Sequence, residues 1–514
     1  MQNAIHKEIV RIAQRQLRDI QSDEDTWLEF AEKFQRRTGL PYAKPKAGSK
    51  AVLHKHFDAE YCKKHAKFLA KGIWSSILNG RYQPLPAVNF SIPKPNGGTR
   101  SLMQFAIPDS AVANVFMRRL RDRNIKRFSP HSFAYHPQLN IFDAIIDTRK
   151  YIASSDKIFS VQVDFTDYFE SIRHKYFTEL LTNRELFSIT DAERDVVWSF
   201  LKHQFAMRLQ YSKALFDRRQ RGTPQGSSLS LILANLANHN LDLSLERQGG
   251  KFVRFADDVT ALCENYDDAV EIEKQFYKHC SGTGININFK KSPGINLLSK
   301  NTPENSIDHE IRSVHNIDYL GYRFTKDSLT LSDKTITRIK RKISKLCSIY
   351  LIQYGRQFSF GPGRVGKSPN FDWDLLGLIS ELRNYMYGGL SESNIRSMLS
   401  GGNKFRKMNG LMSFYALLED HKVLADLDGW LVNTVRRAHS HRVSLMIRKG
   451  HPVPARVNNG SLISGKWMDA DAWDGTPVPE FELPSFVRGW RSARKYYYTF
   501  GLKDVRPPAY GYDY

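Results

Sequence analysis

A chain of 514 residues with 76 Lys and Arg against 53 Asp and Glu carries a net charge of +23 and a pI near 9.7. So large an excess, in a composition with 12% aromatic residues, points to a polyanionic partner and to rings on which bases can stack. No apolar stretch reaches the length of a membrane span and Met1 to Glu8 lacks a signal core. Cys62, Cys263, Cys280 and Cys347 lie too far apart for a disulfide framework or a zinc knuckle, so a protein of the reducing cytoplasm with no membrane part is expected.

Residues 1–80 read as basic helices. Ile9, Ile12, Ala13 and Leu17 recur at helical spacing with Arg and Lys between them, and a Pro/Gly loop over 39–48 precedes a second helical run over 58–78. The cations form either a solvated face or a track for a nucleic-acid backbone. From Gly80 the pattern changes to two strands over 81–102, joined by the turn Pro95-Asn-Gly-Gly98 and flanked by Lys94 and Arg100. By itself this is an ordinary exposed hairpin; beside a carboxylate centre its two cations could hold a triphosphate. Helical residues 110–126 follow, then His131-Ser-Phe-Ala-Tyr-His-Pro137.

Val161-Gln-Val-Asp-Phe-Thr-Asp-Tyr-Phe-Glu-Ser-Ile172 is an apolar strand that ends at Asp164, with Asp167 and Phe169 beyond it. A helical stretch leads to Arg221-Gly-Thr-Pro-Gln-Gly-Ser-Ser-Leu-Ser230, a loop that opens a helix. Its glycines either cap that helix or let the backbone approach a base pair closely. In Lys251-Phe-Val-Arg-Phe-Ala-Asp-Asp-Val-Thr260 an apolar run breaks at Asp257-Asp258 and resumes, which predicts a tight hairpin with the acids at its turn. Two separated carboxylate sites at strand ends are what a two-metal centre requires. A helix to about Cys280, the segment Gly284-Ile-Asn-Ile-Asn-Phe-Lys-Lys-Ser292 and the hairpin strand Ile317-Asp-Tyr-Leu-Gly-Tyr-Arg-Phe324 complete an α+β palm.

Residues 331–450 are again helical and basic. They contain Gly361-Pro-Gly-Arg-Val-Gly-Lys-Ser368, a phosphate-loop string that lacks the preceding strand and is followed by Pro369, so it reads as a glycine-rich loop between helices. Residues 451–514 are rich in Pro, Trp and Tyr. They read as a strap on the preceding helices or a neighbouring subunit, or as the bearer of a priming hydroxyl at Tyr510, Tyr512 or Tyr514.

The ordered set Ile92-Pro-Lys-Pro-Asn-Gly-Gly-Thr-Arg100, Asp164 to Ile172, Gly222-Thr-Pro-Gln-Gly226, Phe255-Ala-Asp-Asp258, Gly284 to Lys291 and Tyr319-Leu-Gly-Tyr322 resembles the successive motifs of prokaryotic reverse transcriptases of the group II intron and retron-like family. That resemblance implies a right-hand polymerase: fingers and an antiparallel palm sheet over 81–330, a helical thumb over 331–450, a helical N-terminal extension over 1–80 and an aromatic C-terminal extension over 451–514. It implies an RNA-directed DNA polymerase that copies a dedicated noncoding RNA into cDNA from dNTPs, and a role in antiphage defence. A template-independent or protein-primed polymerase and a maturase-like RNA scaffold are the alternatives, and a homo-oligomer is compatible with each. The resemblance places two Mg²⁺ ions at Asp164, Asp257 and Asp258, with Phe165 counted among the metal-holding and substrate positions. Lys94 and Arg100 would meet the triphosphate, Gln225 and Gly226 the nascent pair, and Phe169 would exclude a ribose 2′-hydroxyl. Lys291 would protonate pyrophosphate, and Asp167 would be structural. Phe255 replaces the family's usual tyrosine and His136 a usual arginine, which puts hydroxyl and fingers contacts there in question.

Overall fold

The computed structural model describes residues 1–38, 40–42, 53–93, 98–300, 312–353, 372–401, 406–468 and 478–501. Lys94, most of the 95–98 turn, the glycine-rich loop at 361–368 and Tyr510, Tyr512 and Tyr514 lie outside them. The chain forms two compact units, residues 1–24 with 46–317, and residues 25–45 with 318–514. Among the described residues no helix is long and apolar enough to cross a membrane.

In the first unit the chain runs through β1 (Ala87–Pro93), β2 (Thr99–Gln104), β3 (Ile158–Val163), β4 (Phe165–Thr166), β5 (Gln204–Met207) and β6 (Asp217–Arg218). It continues through β7 (Lys251–Phe255), β8 (Asp258–Cys263), β9 (Asn286–Ile287), β10 (Gly294–Leu298) and β11 (Arg312–Val314). β1 and β2 make the expected antiparallel hairpin, with Ile92 opposite Arg100, and extend through β5 to β6. The palm is a five-stranded sheet in the order β11-β10-β3-β8-β7, antiparallel except for the β10–β11 pair. Every residue of β3 but Gln162 is buried, as is every residue of β8 after Asp258. Strands covered on both faces read as continuous apolar runs instead of alternating ones, which is why both were visible as such in the sequence. The helices Leu229–Glu246 and Tyr266–Thr283 pack on this sheet and on each other.

The N-terminal helix Gln2–Thr38 shares the palm core instead of forming one of its own. Ile5, Ile9, Ile12 and Ala13 are buried in the same cluster as Phe116, Phe177 and Phe276. Glu8 fixes it there, accepting from Asn114 at 2.8 Å and pairing with Arg118 at 2.9 Å. Burial opposes that carboxylate's charge, but its hydrogen bonds to Arg11, Arg118 and Asn114 prevail and bring its pKa down to about 2.

Ile317–Tyr319, which begins at the boundary between the units, forms a small sheet with Tyr322–Phe324 and Leu329–Leu331 of the second unit, followed there by the helices Asp333–Cys347, Trp373–Tyr387, Glu392–Ser400 and Lys422–Arg448. The stretch 317–324 is thus two strands, not one, separated by Leu320 and Gly321 at positive φ. Residues of the C-terminal extension strap these helices: Phe481, Leu483, Phe486 and Trp490 are buried, and Asp428 accepts from the Phe486 amide at 2.6 Å and the Ser485 hydroxyl at 2.6 Å.

Candidate active site

The register of the palm sheet brings the two acidic stretches together. Val163 of β3 faces Val259 of β8, so one further step places Asp164 across from Asp258 at neighbouring strand ends. β7 and β8 are joined with Phe255 paired to Asp258, leaving Ala256 and Asp257 as the two turn residues. The expected acidic hairpin is therefore present, but only Asp257 sits in the turn; Asp258 is the first residue of the strand. Ala256 has φ 61°, a conformation hairpin turns ordinarily assign to glycine or asparagine, so the turn is strained and must be held by its surroundings.

Arg254 supplies that hold. It is fully buried, forms a two-pronged pair with Asp242 at 2.7 and 2.6 Å, and donates to Asn235 Oδ1 at 3.1 Å and Ser132 Oγ at 2.7 Å. It also donates to the Ala256 carbonyl at 2.9 Å, which receives a second bond from Asn238 Nδ2 at 3.3 Å. The segment 131–133 lies along β7, with Arg254 N–H donating to the His131 carbonyl and Phe133 N–H to the Arg254 carbonyl, each at 2.9 Å. One guanidinium thus ties the carboxylate turn to a strand, a helix and a loop. Sequence reasoning passed over both partners; the available signal was a cation inside the apolar run of β7 and an acid inside the apolar helix Leu229–Glu246.

Asp164 is held from the other side by residues 284–292. Its Oδ2 accepts from Asn288 Nδ2 at 3.1 Å and pairs with Lys291 Nζ at 3.2 Å, while its backbone bonds the Asn288 amide at 2.8 Å and the Ser292 hydroxyl at 3.0 Å. Lys291 is therefore paired with the first carboxylate, and Asn288 is a further partner. Burial pushes the Asp257 carboxyl above the usual carboxylate range and the charge of Asp164 pushes the same way. Its own backbone N–H, Arg100 and Lys291 pull against them. A divalent cation at Asp164 and Asp257 would relieve that repulsion, so these residues fit a metal. Among the described residues no three His, Cys, Asp or Glu side chains make a metal cage by themselves. The pair suits Mg²⁺, which takes few carboxylates and completes its shell with water and substrate phosphates.

The ring of Phe165 is buried against Tyr168, Phe276 and His279 and its backbone pairs with Ile287, so its side chain belongs to the core. Phe169 is half-buried, edge-on to Tyr168 at 5.4 Å, and its carbonyl accepts from the Thr223 amide at 2.6 Å. Arg100 is exposed on β2. Tyr135, not anticipated, stands at φ 60°; burial pushes its hydroxyl up to about 12 and the charge of Asp257 adds to this. His136 serves its own loop, its Nδ1 accepting from the Gln138 and Leu139 amides at 3.1 and 3.0 Å, and burial holds its pKa down. Asp167 sits at φ 44°, and its carbonyl accepts from the Glu170 amide at 2.9 Å.

The 222–226 loop is clamped by protein backbone. A side chain at Gly222 would come within 2.5 Å of the Phe169 carbonyl oxygen, and one at Gly226 would strike the Met103 carbonyl, whose own amide donates to Gln225 O at 2.7 Å. Both glycines have positive φ, 69° and 114°. The loop thereby links β2 to the Phe169 turn, so the requirement for glycine arises within the protein and needs no base pair. Gly226→Ala is expected to destabilise the first unit by roughly 2–4 kcal/mol, measured by denaturant unfolding; a change under about 0.5 kcal/mol, typical of a tolerant surface site, would mean the clamp is loose.

Fold and site together define an α+β palm with carboxylates at adjoining strand ends. Residues 92–324 match the family model described as reverse transcriptase (RNA-dependent DNA polymerase), so this stretch of the chain is similar to that family. Protein YkfC of Escherichia coli K12 is 25% identical over 176 residues, 34% of this chain and 44% of that protein. The putative COX1/OXI3 intron 1 protein of Saccharomyces cerevisiae is 28% identical over 168 residues, 32% of this chain and 19% of that protein. The chain thus spans less than half the length of these curated relatives. A telomerase from Candida albicans, solved with a fragment of telomeric RNA, is 13% identical with a TM-score of 0.39, covering 81% of this chain and 66% of that one. Apo telomerase from Candida tropicalis is 13% identical with a TM-score of 0.35, covering 48% and 55%.

Proposed function

We propose that the chain is an RNA-directed DNA polymerase that joins dNTPs to a primer by two-metal nucleotidyl transfer. The observation that carries this is the register of β3 and β8, which sets Asp164 beside the Asp257 turn, with Lys291 on the first carboxylate and the charges of Arg100 and Lys291 acting on the second. In the reaction the primer 3′-oxygen bonds to the α-phosphorus, the bond from that phosphorus to pyrophosphate breaks, and the 3′-hydroxyl proton passes to a water molecule. Asp164 and Asp257, with Asp258 beside them, would hold Mg²⁺, which would lower the hydroxyl pKa and neutralise charge on the phosphates. Arg100 faces the triphosphate and Lys291 donates a proton to the departing pyrophosphate. The half-buried ring of Phe169, its backbone pinned by Thr223, bars a ribose 2′-hydroxyl.

Primer extension on an RNA template with dNTPs tests this, and no incorporation by the wild-type chain would refute it. Phe169→Ala is expected to lower discrimination against rNTPs by about ten- to a hundredfold, read as the ratio of kcat/KM values; an unchanged ratio would place the gate elsewhere. The noncoding RNA template and the antiphage role are proposed from the family resemblance, and sequencing the nucleic acid that copurifies with the chain would test the former. A cytoplasmic setting is supported by four cysteines that are all free thiols.

A further inference from the structure

We propose that the C-terminal helix Phe486–Phe500 carries a base-stacking site for an unpaired nucleotide of RNA. The helix, outside the stretch matched by the family model, brings four planar groups into a series of contacts: a stacked His421–Trp490 pair, and Arg494 near both Trp490 and Tyr498. The His421 ring lies 5.6 Å from that of Trp490 with 16° between their planes. The Arg494 guanidinium lies 5.3 Å from the Trp490 ring and 5.3 Å from the Tyr498 ring. Residues 490, 494 and 498 share one helix face because they are four apart.

The series is anchored at one end and accessible at the other. Trp490 is 8% exposed and its Nε1 donates to the Leu418 carbonyl at 3.2 Å, an acceptor that Arg494 shares. Arg494 also donates to the Tyr498 hydroxyl at 3.2 Å, which sets the terminal ring, and that ring is 69% exposed. A flat, pre-ordered aromatic end in water is a surface that a nucleobase can continue.

The charges select the same partner. From Phe486 to Phe500 there are four cations, Arg488, Arg491, Arg494 and Lys495, and no acid; Arg488 is paired with Glu392 at 3.2 Å. The nearby acids are engaged within the unit. Glu480 accepts from the Glu392 and Ser393 amides at 2.6 and 2.8 Å, Glu482 pairs with Arg396, and Asp428 accepts from the Ser485 hydroxyl. Arg491 is exposed, within reach of a phosphate beside a base on Tyr498. The commitment to RNA rests on the polymerase reading above, in which RNA is the strand met first, and unpaired RNA bases are the ones free to stack on tyrosine and guanidinium planes.

The test uses the full chain and a labelled single-stranded RNA oligomer, the same sequence as an RNA duplex, and its single-stranded DNA equivalent, followed by fluorescence anisotropy. Tyr498→Ala is expected to weaken single-stranded RNA binding about tenfold and leave duplex binding unchanged, while Tyr498→Phe, which keeps the ring, binds as the wild type does. Unchanged affinity in Tyr498→Ala, or an equal loss on the duplex, overturns the proposal. A tyrosine dependence seen with DNA and not with RNA overturns the assignment to RNA, and altered sedimentation with unaltered RNA affinity would make the surface a self-association face. Extension from a preformed primer–template reports separately on the polymerase: if the wild type fails to extend yet loses RNA affinity with Tyr498→Ala, the stacking site stands and the polymerase reading falls.

Discussion

Asp257→Asn is expected to abolish primer extension while making the metal-free fold more stable at neutral pH. The loss, about a thousandfold or more, is that of a principal charge-stabilising element of an active site. The gain follows from the environment of the carboxyl, whose pKa in the folded chain is raised by burial and by the charge of Asp164. A carboxylate with a raised folded pKa binds its proton more tightly folded than unfolded. Its contribution to stability is fully present below the unfolded pKa near ~3.9 and is lost as pH rises toward the folded value. Wild type and variant should therefore melt alike in acid, diverge as pH rises through that window with the variant higher, and stay apart above it. Magnesium should raise the melting temperature of the wild type more than that of the variant, because it binds the folded carboxylate pair. Retained extension by Asp257→Asn would sink the two-metal assignment, and coincident melting curves at every pH would show that the carboxyl is not destabilised.

Arg254→Met is expected to destabilise the first unit by about 3–5 kcal/mol, because it leaves the Asp242 carboxylate buried without its partner. Replacing both charges, as Arg254→Met with Asp242→Leu, should recover most of that loss, since a well-packed apolar pair is often as stable as a buried ion pair. Activity should not return with it. The Ala256 carbonyl would still lack the Arg254 donor and the Ser132 hydroxyl its link to β7, so the strained turn would no longer be held where Asp257 meets Asp164. Hydrogen exchange in β7 and the helix Leu229–Glu246 measures the first effect and primer extension the second. A double variant that polymerises at the wild-type rate would show that Arg254 matters to the fold alone.

The carboxylates were legible because each follows an apolar run. β3 and β8 are largely buried and carry no charge apart from Asp258, so an aspartate at a strand end stands out even though Ser160, Gln162 and Thr260 are polar. Adjacency of Phe165 to Asp164 in the chain says nothing about direction: alternate strand residues face opposite ways, and the Phe165 ring enters the core. The glycines at 222 and 226 read as part of a loop that opens a helix, yet the backbone they must approach belongs to Phe169 and Met103, contacts across 53 and 123 residues that no local pattern contains.

What the sequence determined by itself was local: which runs are strands and helices, where the acids interrupt them, and a charge of +23 that calls for a polyanion. Tertiary structure alone decided that Arg254 and Asp242 meet out of water and that the 284–292 stretch grips Asp164. It alone decided that the N-terminal helix shares the palm core and that Arg494 lies near both Trp490 and Tyr498. The physical reason is that propensity and periodicity act over a few residues, whereas burial, ion pairing and stacking depend on which distant side chains the completed fold brings within a few ångströms.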